Sequence, residues 1–367
     1  VYLRDLYLDL LALQGILWSR QPWCGPRIAQ IDISDDCNLD CAICNRSCMG
    51  VGGLMPEHRV RALIDELYAL GTQEIFFHGF GEPACHPQLP GMILHVRSHY
   101  PKLRQHLITN GTWNSPALDA ALIRGRVAVR FSLHAGDEWT WQQMHPRDDP
   151  RFFRQAGDNL HRLAAAAPDR VEVLYVLCNL NFRKIPEMLV FALKCGVRKV
   201  LFRPMRLFKG RDGRYMNDSL QLNAQQYREA ADILARCRQE FGRRIRIQSV
   251  PFERNRYDPE LGRASSRDFY ISRGCYIGYV LTVIEKDGSV YGCLPESSGG
   301  QPLGNVFDTP FRDIWFGPEY AAFRKKQLFS DKAQVDPDGC PSYCQHLETN
   351  VRLNRFHWRN RLPKFLR

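Results

Sequence analysis

What most constrains this chain is a repeated alternation of short apolar runs with segments of helical period. The runs RIAQIDI (27–33), EIFFHG (74–79), QHLIT (105–109), VAVRFSL (127–133), VEVLYVL (171–177) and KVLFRP (199–204) are mostly rich in β-branched or aromatic residues, which predicts strands. Between them, PEHRVRALIDELYALG, SPALDAALIRG and KIPEMLVFALKCG carry apolar residues at helical spacing, begin near Pro or Ser and end in Gly. Parallel strands need long crossovers, so the alternation predicts a parallel sheet with helices packed outside it. A curved partial barrel and an open doubly wound sheet both satisfy the pattern. With 367 residues, 44% of them hydrophobic, the chain can also build a smaller appended unit beyond one core of about 250 residues.

The unusual residues collect after the predicted strands. Cys37, Cys41 and Cys44 follow the first, GFGEP (79–83) the second, TNG (109–111) the third and SLHAG (132–136) the fourth. These are carboxyl ends of parallel strands, where such folds bind ligands. Thirteen cysteines, odd in number and clustered, fit iron or zinc ligation in a reducing compartment better than a disulfide framework. Three thiolates suit iron–sulfur ligation. With Cys48 as a fourth ligand the same group would make a closed zinc site.

The three-residue and two-residue gaps between Cys37, Cys41 and Cys44, the apolar Ile43, and GFGEP one unit later resemble the radical S-adenosylmethionine (SAM) superfamily. The likeness runs from about Arg27 through the carboxyl-terminal third. It implies an α/β fold, a partial (β/α)6 TIM-like barrel. It also implies a [4Fe-4S] cluster on the three cysteines, with SAM on its open iron, and cleavage to a 5′-deoxyadenosyl radical. The implied cofactor contacts are Phe80, Gly81, Glu82 and Pro83, with Phe80 in place of the commoner first glycine. Gly81 would leave room for close approach. Asn110 and Ser132 would meet the methionine carboxylate or ribose, with turn capping an equally good role for Asn110. Ile43 would flank the adenine, and Arg203 would meet a carboxylate or hydroxyl of cofactor or substrate.

Further on, Cys275 is followed by YVLTVIEKDGSVYGC, a hairpin pattern with KDG at its turn that returns the chain to Cys293. Cys340 and Cys344 come later. This region resembles the auxiliary-cluster extension of the superfamily in its twitch/SPASM form, and PLGNVFDTPFRDIW (302–315) matches the extension's glycine-asparagine and isoleucine-tryptophan features. The resemblance implies a second [4Fe-4S] cluster on Cys275, Cys293, Cys340 and Cys344, against a zinc knob on the same four. The expected division is a helical extension (1–26), the barrel core (27–240), the auxiliary-cluster domain (241–348) and a basic tail (349–367). That tail holds six Arg or Lys from Arg352 onward and no acid.

A second cluster can accept the electron left after hydrogen abstraction, which implies an oxidoreductase. Peptide-modifying relatives often carry a leader-binding domain, for which residues 1–26 leave no room. The expected partner is therefore a polar small molecule, a sugar or cyclitol, anionic in keeping with the net charge of +11. An external one-electron reductant such as flavodoxin or ferredoxin would serve the cluster. The alternatives are a peptide maturase that crosslinks or epimerises, and a redox-neutral sugar epimerase or dehydratase. For epimerisation Cys178, after the fifth strand, would be the hydrogen donor, against burial as a small hydrophobe. No nucleic-acid motif accompanies the charge. The early run LDLLALQGILW is too short to span a bilayer and lacks a signal-peptide pattern, so a cytoplasmic protein is expected.

Overall fold

A computed structural model describes residues 11–17, 21–44, 52–206, 208–209, 215–249, 252, 256–258, 263–265, 269–270, 273–293, 301–327, 344 and 346–354. Cys48, Cys340 and the tail beyond Asn354 lie outside the described residues.

The six predicted strands are present as β1 (Ile28–Ile31), β2 (Glu74–Phe77), β3 (Arg104–Thr109), β4 (Ala128–Ser132), β5 (Val171–Leu177) and β6 (Lys199–Pro204). Two small antiparallel pairs stand apart, β7 (Phe208–Lys209) with β8 (Tyr215–Met216) and β10 (Arg256–Asp258) with β11 (Arg263–Ser265). Between them in sequence, β9 (Arg246–Gln248) adds to β6 in parallel. The chain then sends β12 (Leu281–Ile284) back to the opposite edge, parallel to β1 with Ile28 opposite Leu281, and β13 (Val290–Tyr291) folds antiparallel onto it. The sheet order is β13-β12-β1-β2-β3-β4-β5-β6-β9, so strands on both sides of residue 240 share one sheet.

Period-two alternation gives the sheet two unlike faces. Ile75, Phe77, Leu107, Val129, Phe131, Val173 and Phe202 are buried and join one core with Val60, Ile64, Met92, Leu118 and Leu160 of the crossover helices. The helices start where their caps dictate. Ser115 accepts from the Leu118 N–H ahead of Pro116–Arg124, and Asn223 and Gln226 form a reciprocal capping box ahead of Ala224–Phe241. Side chains from the other face of β1 to β4, β6, β9 and β12 line a single cavity of about 520 Å³. One face of seven strands can share a cavity only if the sheet curls, and this settles the choice in favour of the partial barrel.

The carboxyl-terminal region is built onto the β1 edge. The predicted KDG hairpin turn joins β12 to β13, with Gly288 at φ +84. Asn305 binds that turn, donating to the Asp287 carbonyl at 2.9 Å. Trp315, fully buried, donates from Nε1 to the Cys24 carbonyl. Arg324 is buried against the rings of Trp315 and Tyr320 and donates to the carbonyls of Gly278 and Trp315. Burial lowers its guanidinium to about 10, which leaves it charged at neutral pH.

Candidate active site

The site starts from one buried carboxyl. Asp32, directly after β1, accepts from the backbone N–H groups of Ser34 and Phe80, both at 3.1 Å. Burial first, with Asp35 adding, holds it well above the ordinary carboxyl range. The GFGEP loop is thereby sewn to the cysteine loop, and Glu82 N–H adds a bond to the Asp36 carbonyl at 2.7 Å. A Cβ on Gly81 would lie 2.2 Å from the Ser34 carbonyl oxygen. The close approach that needs this glycine is therefore one of chain to chain. From the hairpin turn, Lys286 pairs with Asp35 and donates to the Gly52 carbonyl at 2.7 Å, tying the carboxyl-terminal region to the same loop.

Cys37, Cys41 and Cys44 sit on this framework, near enough to act on one another electrostatically. The Cys44 N–H donates to the Cys41 carbonyl, Ala42 N–H to Met144, and Asn217 Nδ2 to the Cys44 carbonyl. Burial pushes the Cys37 thiol up to about 12, with Glu82, Cys44 and Cys85 adding. Cys41 is pushed well up by burial, with Cys44 and Cys37 adding. Among the described residues no three His, Cys, Asp or Glu side chains gather around a single metal-ion point. A cubane takes its thiolates on separate irons, and three adjacent thiols whose charges act on one another are a donor set that fits it.

The neighbouring predicted residues are mostly engaged by the protein itself. The Glu82 carboxylate accepts from Thr109 Oγ1 at 2.7 Å, Asn110 N–H at 2.6 Å and Ala84 N–H at 2.9 Å, capping the short turn Pro83–Cys85. Burial raises its pKa. Asn110 caps its turn by accepting from Thr112 N–H, and its Nδ2 reaches Asn38 Oδ1 at 2.9 Å and Cys37 Sγ at 3.9 Å. Ile43 packs beside Met144, Cys178 and Met205. Cys178 is fully buried, its sulfur 3.7 Å from that of Met144, and burial pushes its thiol up to about 11. Ser132 is half-buried at the end of β4.

Arg203 belongs to a second group of residues, inside the barrel. It faces the cavity inside the barrel with Gln30, His78, Arg130 and Arg246, and the helix Leu347–Leu353 closes that cavity with His346, Glu348 and Arg352. Cys344 opens onto the same space. Its thiol is raised by burial and accepts from Tyr270 OH at 2.8 Å. Cys275, raised well above its usual range by burial and then by Cys344 and Cys293, completes a second group of adjacent thiols. Asn350 of the closing helix accepts from the Tyr276 N–H at 2.8 Å and holds that helix to the Cys275 loop.

Sequence reasoning missed Asp32, Lys286, Gln30 and His78. Asp32 and His78 flank motifs that were singled out, and Gln30 and His78 sit at alternate positions facing the concave side of β1 and β2. A polar residue on that period within an apolar strand was the available signal.

The Radical SAM superfamily matches residues 31–192, and SPASM, described as an iron-sulfur cluster-binding domain, matches residues 275–346. GTP 3′,8-cyclase of Streptomyces coelicolor is 27% identical over 175 residues, covering 45% of this chain and 49% of that protein. The chain thus spans about half the length of this curated relative. Streptococcus suis SuiB bound to precursor peptide SuiA is similar in fold, with a TM-score of 0.65 at 15% identity over 86% of this chain and 72% of that one. anSMEcpe with bound AdoMet and Cp18Cys peptide gives 0.62 at 17% identity over 89% of this chain and 98% of that one. These two structures correct the small-molecule partner expected above, since both hold peptides. The expectation rested on missing room for a leader-binding domain, yet anSMEcpe holds its peptide in a chain matched along 98% of its length. No helix among the described residues is long and apolar enough to cross a membrane.

Proposed function

Because the chain belongs to the radical SAM superfamily and carries an iron–sulfur cluster-binding region of the SPASM kind, we propose that it oxidises a peptide by abstracting hydrogen from one of its residues. A cluster on the barrel, an auxiliary cluster and S-adenosylmethionine are typical of this family, and when bound they supply a hydrogen-abstracting 5′-deoxyadenosyl radical and a nearby electron acceptor. In this proposal both clusters are [4Fe-4S], the first on Cys37, Cys41 and Cys44 and the second on Cys275, Cys293 and Cys344 with Cys340.

The observation that carries the reading is the cavity. It follows the concave face of the sheet, including β1, which leads into the first thiols, and it reaches Cys344 of the second set. A residue held there has the sheet and the helix Leu347–Leu353 as walls, which limits the water around a reactive radical. Asp32, Gly81 and Glu82 fix the GFGEP loop against the cysteine loop, so the support of the first thiols is preorganised by the protein's own bonds. The peptides held by SuiB and anSMEcpe support a peptide as the occupant.

The test is anaerobic reconstitution with iron and sulfide, then incubation with SAM, dithionite and cysteine-containing peptides deuterated at the side chain. Deuterium should pass to 5′-deoxyadenosine while the peptide loses two hydrogens, one as the abstracted atom and one as a proton with its electron. Replacing Cys37, Cys41 and Cys44 together by Ala should abolish this and remove half of the bound iron. Label transfer only from a non-peptide metabolite would overturn the peptide reading.

A further inference from the structure

The barrel cavity is lined by more basic than acidic side chains. Four arginines line it, Arg130, Arg203, Arg246 and Arg352, against one acid, Glu348. Arg130 is balanced from outside the cavity by its ion pair with Glu172. Arg203 is different, because its Nε is buried and has no hydrogen-bond partner among the described residues. Opposite in polarity, Gln30 lines the same cavity at 8% exposure, and its Oε1 is likewise buried without a partner. Buried donors and acceptors are normally paired, and an unpaired one facing a void marks where another molecule's groups belong.

We infer that the cavity is a carboxylate site, in which Arg203 receives a carboxylate of the peptide and Gln30 accepts from an amide N–H beside it. This rests on the peptide reading above and adds the chemistry of the residue presented. A guanidinium meets a planar carboxylate through paired N–H bonds. An amide N–H of the same ligand would satisfy Gln30 across the cavity, and a peptide supplies both groups together. His78, on the same wall, is lowered to about 4 by burial first and then by Arg130 and Arg203, so it is neutral at pH 7 and adds no charge of its own to the cavity. The carboxylate has two sources, an Asp or Glu side chain or the peptide's own terminus.

The experiment measures binding to the reconstituted full chain by fluorescence anisotropy. The probes are labelled peptides of one sequence with Glu or Gln at a single position, each with a free or amidated terminus. The peptide carrying the recognised carboxylate should bind about tenfold tighter than its neutral counterpart, the effect of one charge-assisted hydrogen bond. The Glu/Gln and free/amidated comparisons identify the source. Arg203→Gln should erase the preference, and Arg203→Lys should keep part of it. SAM affinity is followed in parallel. A preference unchanged in Arg203→Gln overturns the inference, and so does a variant that loses only SAM affinity, which assigns Arg203 to the cofactor's carboxylate. If no peptide binds, glutarate decides by thermal shift. A shift in the wild type that is lost in Arg203→Gln keeps the carboxylate site and sinks the peptide reading, whereas equal shifts overturn the site.

Discussion

Replacing Gly79 by Ala tests the stitching between the two loops. A Cβ there would lie 1.9 Å from both Cγ and Oδ1 of Asp32, where ordinary contact begins at 3.4 Å, so about 1.5 Å of separation must be found. Asp32 is not free to swing, because it holds the N–H groups of Ser34 and Phe80. Overpacking costs about 1–3 kcal/mol, and each buried hydrogen bond lost in the adjustment adds about 1 kcal/mol. Gly79→Ala should therefore cost about 3 kcal/mol. Asp32→Ala leaves two N–H groups without acceptors and is destabilising alone, but it clears the space. In that background Gly79→Ala should cost less than about 1 kcal/mol, a coupling of about 2 kcal/mol. Urea unfolding of the four proteins at one pH, read as midpoint shifts, measures it. Additivity within about 0.5 kcal/mol would refute the reasoning. The cycle also has a pH signature. The Asp32 pKa is raised on folding, so its favourable contribution is complete below the unfolded value near 3.8 and is lost as pH rises through the folded value. The cost of Asp32→Ala should shrink as pH rises above about 4.

Two further outcomes follow from single side chains. Burial works against the Glu74 charge, but its pairing with His106 and Arg104 outweighs this and holds it down at about 2. Glu74→Gln should cost roughly 2 kcal/mol at pH 7 after allowance for partial exposure, and the cost should fade as pH falls below about 4.5, which unfolding midpoints across that range will check. Cys178→Ala should lower stability by about 1 kcal/mol through lost packing while leaving SAM cleavage and peptide turnover unchanged. A variant that abstracts hydrogen but no longer completes the product would instead make its thiol the donor in an epimerisation.

The six strand–helix units were legible because each strand has an apolar, β-branched run and each crossover a punctuated helical period. The cysteine triad and GFGEP were legible because their spacing is local. What the sequence hid is long-range. Nothing in LTVI distinguishes a hairpin arm from a strand that also lies parallel to β1, since that pairing is decided by which sheet edge is open once β1 to β6 have formed. The bonds of Glu82 to Thr109 and Asn110 exist only because β2 and β3 end side by side. Arg203 was visible as a charge in an apolar strand, but the cavity it shares with Gln30 exists only because the sheet curls.

The placement of β12 has a consequence for how the protein is made. β1 leaves the ribosome early, but its outer edge is covered only when Leu281–Ile284 has been synthesised, and Asp35 waits as long for Lys286. Until then the strand that leads into the first cysteines offers an unpaired edge, a template for wrong pairing in a nascent chain. Such distant contacts also close slowly. A ribosome-stalled chain ending before residue 281 would therefore hold those thiols on an unfinished support, and delivery of iron and sulfide to them belongs after release of the whole polypeptide rather than during its translation.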